Sequence, residues 1–266
     1  MDRRPIGVFD SGVGGLTFVH ELHRQLPHES LIYVGDTARV PWGNKSPDTV
    51  RRYAHEILAF LLKRDVKMVV VACNTASAHA LASLQRGAPV PVEGVVGPGA
   101  LAAVKATRSH RIGVIGTAGV VKSGAYERAI KVLLPDAQVR SAACPLFVPL
   151  VEEGWFDRDA TRLIAREYLA PLRAEAIDTL VLGCTHYPLL KALLAEELGP
   201  DIALIDSAEE TAAAVGRELW QAGLQAPPDA ESQSHFVVSD APEQFASVGA
   251  RFLGDRVKDI ETVTFS

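Results

Sequence analysis

One seven-residue pattern occurs twice in this chain and constrains the fold more than any other feature. Val69-Val70-Val71-Ala72-Cys73-Asn74-Thr75 returns as Leu180-Val181-Leu182-Gly183-Cys184-Thr185-His186. In each copy a short apolar run, the mark of a buried parallel strand, delivers a thiol, then hydrogen-bonding side chains, then a helix-like segment. A strand end followed by a helix start is where open α/β sheets bind ligands, and a helix N-terminus favours a thiolate. Two such thiols, one from each half of a duplicated chain, can face each other across one ligand. That arrangement suits a reaction needing a base on one side and an acid on the other.

Strand and helix patterns alternate throughout. Ile6–Phe9 reads as a strand and Leu16–Leu26 as a helix with apolar Leu16, Val19, Leu22 and Leu26 on one face. Ser46-Pro47 caps a long helix, and Asn74 is a good cap residue for the helix after Met68–Ala72. A Pro/Gly-rich stretch over 88–99 marks a crossing between domains. The plan then restarts, because Ile112-Gly113-Val114-Ile115-Gly116-Thr117 echoes Ile6-Gly7-Val8-Phe9-Asp10-Ser11. The interval from Ile6 to Cys73 nearly matches that from Ile112 to Cys184, which points to internal duplication. Ser207-Ala-Glu-Glu210 reads as a capping box opening a helix to about Ala222. The later elements (strand 235–238, helix 242–253, strand 260–264) exceed what the second half needs, so the tail is expected to return to the first domain.

Bulk properties narrow the function classes. A net charge of −5 and a pI near 5.9, without a dense basic cluster, disfavour a nucleic-acid surface. No apolar stretch reaches the roughly 18 residues of a membrane span, and no signal region follows Met1. Three widely spaced cysteines are neither a disulfide framework nor paired metal-ligand motifs, so a reduced cytoplasmic compartment is expected.

Asp10-Ser11-Gly12-Val13-Gly14-Gly15 follows the first strand. Amides in such a loop can cradle an anion, but the glycine spacing matches neither the dinucleotide fingerprint nor a P-loop. Gly35-Asp36-Thr37-Ala38-Arg39-Val40-Pro41-Trp42-Gly43 is a polar loop with a shaped backbone, and Asp36 with Arg39 reads as a loop-stabilising ion pair. Asn74, Thr75 and Thr185 can orient a carboxylate. His186 beside Cys184 can serve as its base, whereas Glu152-Glu153 carries little weight from the residues alone and Cys144 reads as core.

Taken together, the words at 7–17 (Gly-Val-Phe-Asp-Ser-Gly-Val-Gly-Gly-Leu-Thr), 35–39 (Gly-Asp-Thr-Ala-Arg), 72–78 (Ala-Cys-Asn-Thr-Ala-Ser-Ala) and 183–188 (Gly-Cys-Thr-His-Tyr-Pro) resemble bacterial glutamate racemases of the aspartate/glutamate racemase superfamily. The stretches at 112–117, 123–126 and 144–152 fit as well, so the likeness covers residues 6–210. The resemblance implies two pseudo-symmetric α/β domains with mostly parallel sheets and the active site between them. The domains are expected at 1–97 plus 210–266 and at 98–209. It implies cofactor-independent interconversion of L- and D-glutamate for peptidoglycan synthesis, with glutamate as partner, neither nucleic acid nor membrane, no metal, and a homodimer left open.

Carried over by position, the resemblance makes Cys73 and Cys184 the acid/base thiols. Asp10 would assist Cys73, while Glu152 and His186 would assist Cys184. Substrate contacts would fall on Asp10, Ser11, Trp42, Gly43, Asn74, Thr75, Thr117, Thr185 and His186. Two departures stand out: Trp42 where the family usually has tyrosine, and Val120 where threonine is common. The missing hydroxyl at 120 is expected to weaken carboxylate binding by about 1 kcal/mol. Rivals are another acidic-amino-acid racemase such as an aspartate racemase, a decarboxylase or isomerase of the same superfamily, a receptor that closes on an amino acid without chemistry, and a thiol redox enzyme. The redox reading lacks a Cys-X-X-Cys pair.

Overall fold

The two copies of the repeated pattern occupy equivalent places in two parallel sheets. The computed structural model describes residues 1–265. The first half runs β1 (Ile6–Asp10), α1 (Leu16–Gln25), β2 (Leu31–Gly35), α2 (Pro47–Leu62), β3 (Met68–Val71), α3 (Asn74–Gly87) and β4 (Val92–Gly94). After α4 (Val96–Ala106) come β5 (Arg111–Gly116), α5 (Ala118–Ser123), α6 (Ala125–Leu133), β6 (Gln138–Ala143), α7 (Phe147–Glu152) and α8 (Asp159–Ala174). Then follow β7 (Thr179–Gly183), α9 (Lys191–Leu198), β8 (Ala203–Asp206), α10 (Ser207–Ala222), β9 (Ser234–Val238), α11 (Pro242–Leu253) and β10 (Glu261–Thr262).

One sheet has the order β10-β9-β2-β1-β3-β4 and the other β6-β5-β7-β8, with every pairing among the described residues parallel. The second sheet thus repeats the last four strands of the first. Registers match too: β1 joins β3 through Phe9↔Val71, and β5 joins β7 through the equivalent Ile115↔Leu182. Asp10 and Ser11 therefore leave the first sheet beside Cys73, and Thr117 leaves the second beside Cys184. Strand order changes sense around β1 and β5, where the carboxyl ends of an open sheet form a crevice.

The repeated strands form because their residues suit burial on both faces. Val69, Val70 and Val71 are wholly inaccessible, as are Leu180, Val181 and Leu182. The helices between them carry ordinary start signals. In α2, Ser46 accepts from Thr49 N, Pro47 opens the first turn, and Val50, Ala54, Ile57 and Leu61 turn one face inward. One apolar cluster runs from Phe18 and Leu22 of α1 to Phe147, Leu182 and Tyr187, so both halves share a core.

Sequence and structure differ in the caps of two helices and in one connection. α3 is capped by Cys73, and Asn74 is its first residue. α10 is capped by Asp206, whose Oδ1 accepts from Ala208 N at 2.9 Å, and Ser207 is instead its first residue. A carboxylate at the positive end of a helix outcompetes a hydroxyl one residue on; Ser207 Oγ donates to Leu182 O in β7. The Pro/Gly stretch at 88–99 is not all connection, since it holds β4 and the first turn of α4. The boundaries expected at 97/98 and 209/210 fall inside the first turns of α4 and α10. The tail returns to the first sheet, where β9 pairs with β2. No helix among the described residues is long and apolar enough to cross a membrane.

Candidate active site

A cavity of about 380 Å³ is walled by both halves of the chain. Ser11, Cys73, Asn74 and Thr75 contribute from the first sheet; Thr117, Cys184, Thr185 and His186 contribute from the second. Trp42, Gly43 and Glu152 also line it.

Cys73 follows β3 and caps α3, its Sγ accepting from Ala76 N at 3.5 Å. Its S–H reaches Oγ of Ser11 at 3.7 Å. Burial first, and the neighbouring Asp10 charge second, push this thiol up to about 12 against those two stabilising contacts. Cys184 has different company. Its Sγ lies 3.9 Å from Nδ1 of His186, whose Nε2 meets Glu152 Oε1 at 2.9 Å. Burial opposes the imidazolium, yet Cys184 and Glu152 outweigh it and push His186 up to about 10. Phe252 of α11 packs edge-on against that imidazole at 6.0 Å.

Asp10 is fully buried and lies behind the cavity wall rather than on it. Its Oδ1 accepts from Gly12 N at 2.9 Å and its Oδ2 from Thr185 Oγ1 at 3.3 Å. Burial raises its pKa, and the His186 charge partly offsets that. The glycines beside it permit a close approach of the halves: a Cβ at Gly14 would stand 2.4 Å from both His186 Nδ1 and Thr185 Oγ1.

Polar groups suited to an anion gather opposite. Thr75 and Thr117 share a hydroxyl–hydroxyl bond of 3.0 Å. Asn74 accepts from the buried Tyr126 hydroxyl at 2.7 Å, which leaves its Nδ2 buried with no partner among the described residues. Trp42 is buried, and its indole N–H points away to Asp36. Val120 corrects the expectation of a weakened carboxylate site: it packs with Val114, Tyr126 and Val181 in the core of the second half, off the cavity wall. A hydroxyl there would face apolar neighbours. Cys144 is also fully buried, among apolar residues, and burial pushes its thiol up.

Every site residue read from the sequence except Asp10 thus reaches the cavity. Val40, Pro41, Pro145, Val148 and Pro149 line it too, and sequence reasoning missed them because apolar side chains announce no chemistry. Tyr126 escaped as well; only the contact across the halves gives it a part. Among the described residues no group of three or more His, Cys, Asp or Glu side chains is arranged to hold a metal ion.

Residues 6–215 match the family described as Asp/Glu/Hydantoin racemase. A glutamate racemase of Geobacter metallireducens is 53% identical over 99% of this chain and 98% of its own. A solved glutamate racemase isoform from Bacillus anthracis superposes with a TM-score of 0.94 at 41% identity, covering 100% of this chain and 98% of that one. A Francisella tularensis glutamate racemase in complex with D-glutamate gives 0.93 at 38% identity, over 99% and 98%. Profile, sequence and architecture agree, and the chain belongs to the Asp/Glu/Hydantoin racemase family, among the glutamate racemases.

Proposed function

We propose that this protein interconverts L- and D-glutamate without a cofactor, with Cys184 and Cys73 on opposite faces of the α-carbon. The observation that carries this reading is a pair of thiols at equivalent strand ends lining one cavity, each from its own half. Inversion at carbon needs a base on one face and an acid on the other. One thiolate takes the α-proton, the electron pair is left on the α-carbon and its carboxylate, and the opposite thiol returns a proton.

The two thiols differ in a way that fits this division. Cys184 faces the imidazolium of His186, which Glu152 holds from behind and which stabilises a thiolate there. Cys73, kept protonated by burial, is the acid in that direction. The roles exchange for the other enantiomer, and Asp10 acts on Cys73 through its charge. Donors for the substrate's carboxylates come from Asn74 Nδ2, the hydroxyl of Ser11, one of the paired hydroxyls of Thr75 and Thr117, and the backbone around Trp42 and Gly43. Thr185, whose hydroxyl donates to Asp10, meets the substrate as part of the wall. The Francisella relative in complex with D-glutamate supports the choice of substrate.

The same reading takes residues 1–97 plus 210–266 as one domain and 98–209 as the other, joined through α4 and α10. The protein would work in the cytoplasm, and its D-glutamate would supply peptidoglycan. The test is to incubate purified protein with L-glutamate alone and follow optical activity. Decay to the racemate is expected. Activity lost to a chelator and restored by metal would overturn cofactor independence, and faster turnover of aspartate would overturn the substrate.

A further inference from the structure

We infer that Asp36 is a positioning residue for the substrate-facing loop, acting through the indole of Trp42 and tying that loop to the C-terminal segment. The inference rests on the reading of the cavity as the glutamate site. Asp36 follows β2, is 0% exposed and does not line the cavity. Three donors converge on it. Arg39 Nε at 2.7 Å and Trp42 Nε1 at 3.2 Å reach Oδ2, and Ser239 Oγ reaches Oδ1 at 2.8 Å. A buried carboxylate that loses such donors bears its full desolvation cost, so the set holds one arrangement.

The surroundings stiffen that arrangement. Arg39 also pairs with Glu56 and lies 3.9 Å over the ring of Tyr53, which packs on Trp42 with centroids 5.7 Å apart. Next to Asp36, the Thr37 hydroxyl donates to Asp240 O at 2.5 Å and accepts from Asp240 N at 2.9 Å. Residues 36–37 are therefore stitched to 239–240, just past β9.

What Trp42 holds is the wall at Gly43. A Cβ on Gly43 would stand 2.7 Å from Thr117 Cβ, and one on Gly119 would stand 2.8 Å from Gly43 O. The loop is wedged against the second half with no slack, beside the Thr117–Thr75 pair. Moving Trp42 shifts this wall, whereas the thiols hang from β3 and β7 and stay in place. The loss therefore falls on substrate binding more than on the chemical step. Asp36 stays off the cavity wall, so it acts on the substrate only through the loop.

The experiment measures kcat and KM for glutamate in Asp36→Ala, Asp36→Asn, Ser239→Ala, Trp42→Phe and the double variant Asp36→Ala/Trp42→Phe. Asp36→Ala should raise KM tenfold or more and change kcat less than threefold. Asparagine can accept from Trp42 and donate to Ser239, so Asp36→Asn should recover KM to within threefold of wild type. Trp42→Phe should raise KM similarly, and the double variant should be no worse than the larger single, because both remove one contact. Independent, multiplying effects, or a kcat that falls as far as kcat/KM, would overturn the inference. If Asp36→Ala does not fold, Ser239→Ala decides: a two- to fivefold rise in KM supports the tether and an unchanged KM refutes it. Tryptophan emission gives a readout free of activity. It should change between wild type and Asp36→Ala but not between Trp42→Phe and Asp36→Ala/Trp42→Phe, and an unchanged spectrum in the first pair counts against the contact. Wild type without glutamate racemisation would refute the reading of the cavity, while the emission comparison would still judge the tether.

Discussion

The hydroxyl of Thr185 donates to Asp10 at 3.3 Å, joining residues 175 positions apart across the two halves of the site. Asp10 has no water-facing surface, so each donor it receives offsets part of its burial cost. Thr185 also lines the cavity, and Thr17 Oγ1 donates to its backbone carbonyl at 3.0 Å. One residue thus serves the substrate wall, a buried carboxylate and the seam between the sheets.

Thr185→Ala should lower kcat/KM for glutamate about 10- to 100-fold, the cost of removing one buried donor to charged oxygen. Thr185→Ser keeps the hydroxyl and should retain most activity. Steady-state kinetics on both variants check this; a change under twofold in Thr185→Ala would place the hydroxyl outside the working site.

Gly14→Ala should be far more damaging than its size suggests. The new methyl would meet His186 Nδ1 and Thr185 Oγ1 at 2.4 Å, and neither can retreat without disturbing Cys184 or Asp10. Overpacking of this kind costs about 1–3 kcal/mol of stability. Activity should drop at least about 100-fold in protein that still unfolds cooperatively, as a displacement of catalytic groups by about 1 Å demands. Urea titration and racemisation measured on the same sample separate the two effects.

Replacing either thiol should abolish racemisation while leaving ligand binding intact. The remaining thiol can remove a proton from one enantiomer and return it to the same face. In deuterated water Cys73→Ala and Cys184→Ala should then exchange the α-hydrogen of opposite enantiomers with retention, Cys184 acting on L-glutamate and Cys73 on D-glutamate. NMR of recovered substrate reports this, and near-normal racemisation by Cys73→Ala would end the two-thiol mechanism.

The imidazole of His186 should stay protonated far above the ordinary histidine range. Its pKa is raised from 6.5 to about 10, so the cation persists between those values and is lost as pH rises through the upper one. Nitrogen-15 NMR from pH 6 to 10 should show no titration of His186 near neutrality, while His23, lowered chiefly by burial, titrates below 6.5. Glu152→Gln removes one of the two groups that raise His186, and its titration should move down by about one pH unit or more.

Lys67 and Glu29 form a buried pair at 2.5 Å, with Lys67 Nζ also donating to Asp2 O at 2.8 Å. Neither touches the cavity. Lys67→Met strands a buried carboxylate and should cost about 3–5 kcal/mol of folding stability. Denaturant unfolding should register that loss while kcat and KM of the folded fraction stay at wild-type values.

The strands and the two thiols were legible because their signals are local. A continuous apolar run ending in cysteine, repeated at matching spacing, needs no partner to be seen in Val69–Cys73 and Leu180–Cys184. Glu152 was not legible from its own surroundings: two adjacent glutamates look solvated until α7 is known to end beside His186. Tyr126 likewise becomes part of the site only through Asn74. Val120 misled because a position in a family word was read as a position on the ligand, whereas α5 turns it into the core. The cap of α10 was ambiguous in principle, since Asp206 and Ser207 both carry cap chemistry and only the strand end decides between them.

The pairing of β9 with β2 has a consequence for the order in which the chain can assemble. All four strands of the smaller sheet have been synthesised by Asp206, but the larger sheet lacks a neighbour for β2 until residues 234–238 have left the ribosome. During that interval the edge of Leu31–Gly35 presents unpaired N–H and C=O groups, the kind of surface that recruits stray strands. The half of the protein translated first is therefore the half completed last.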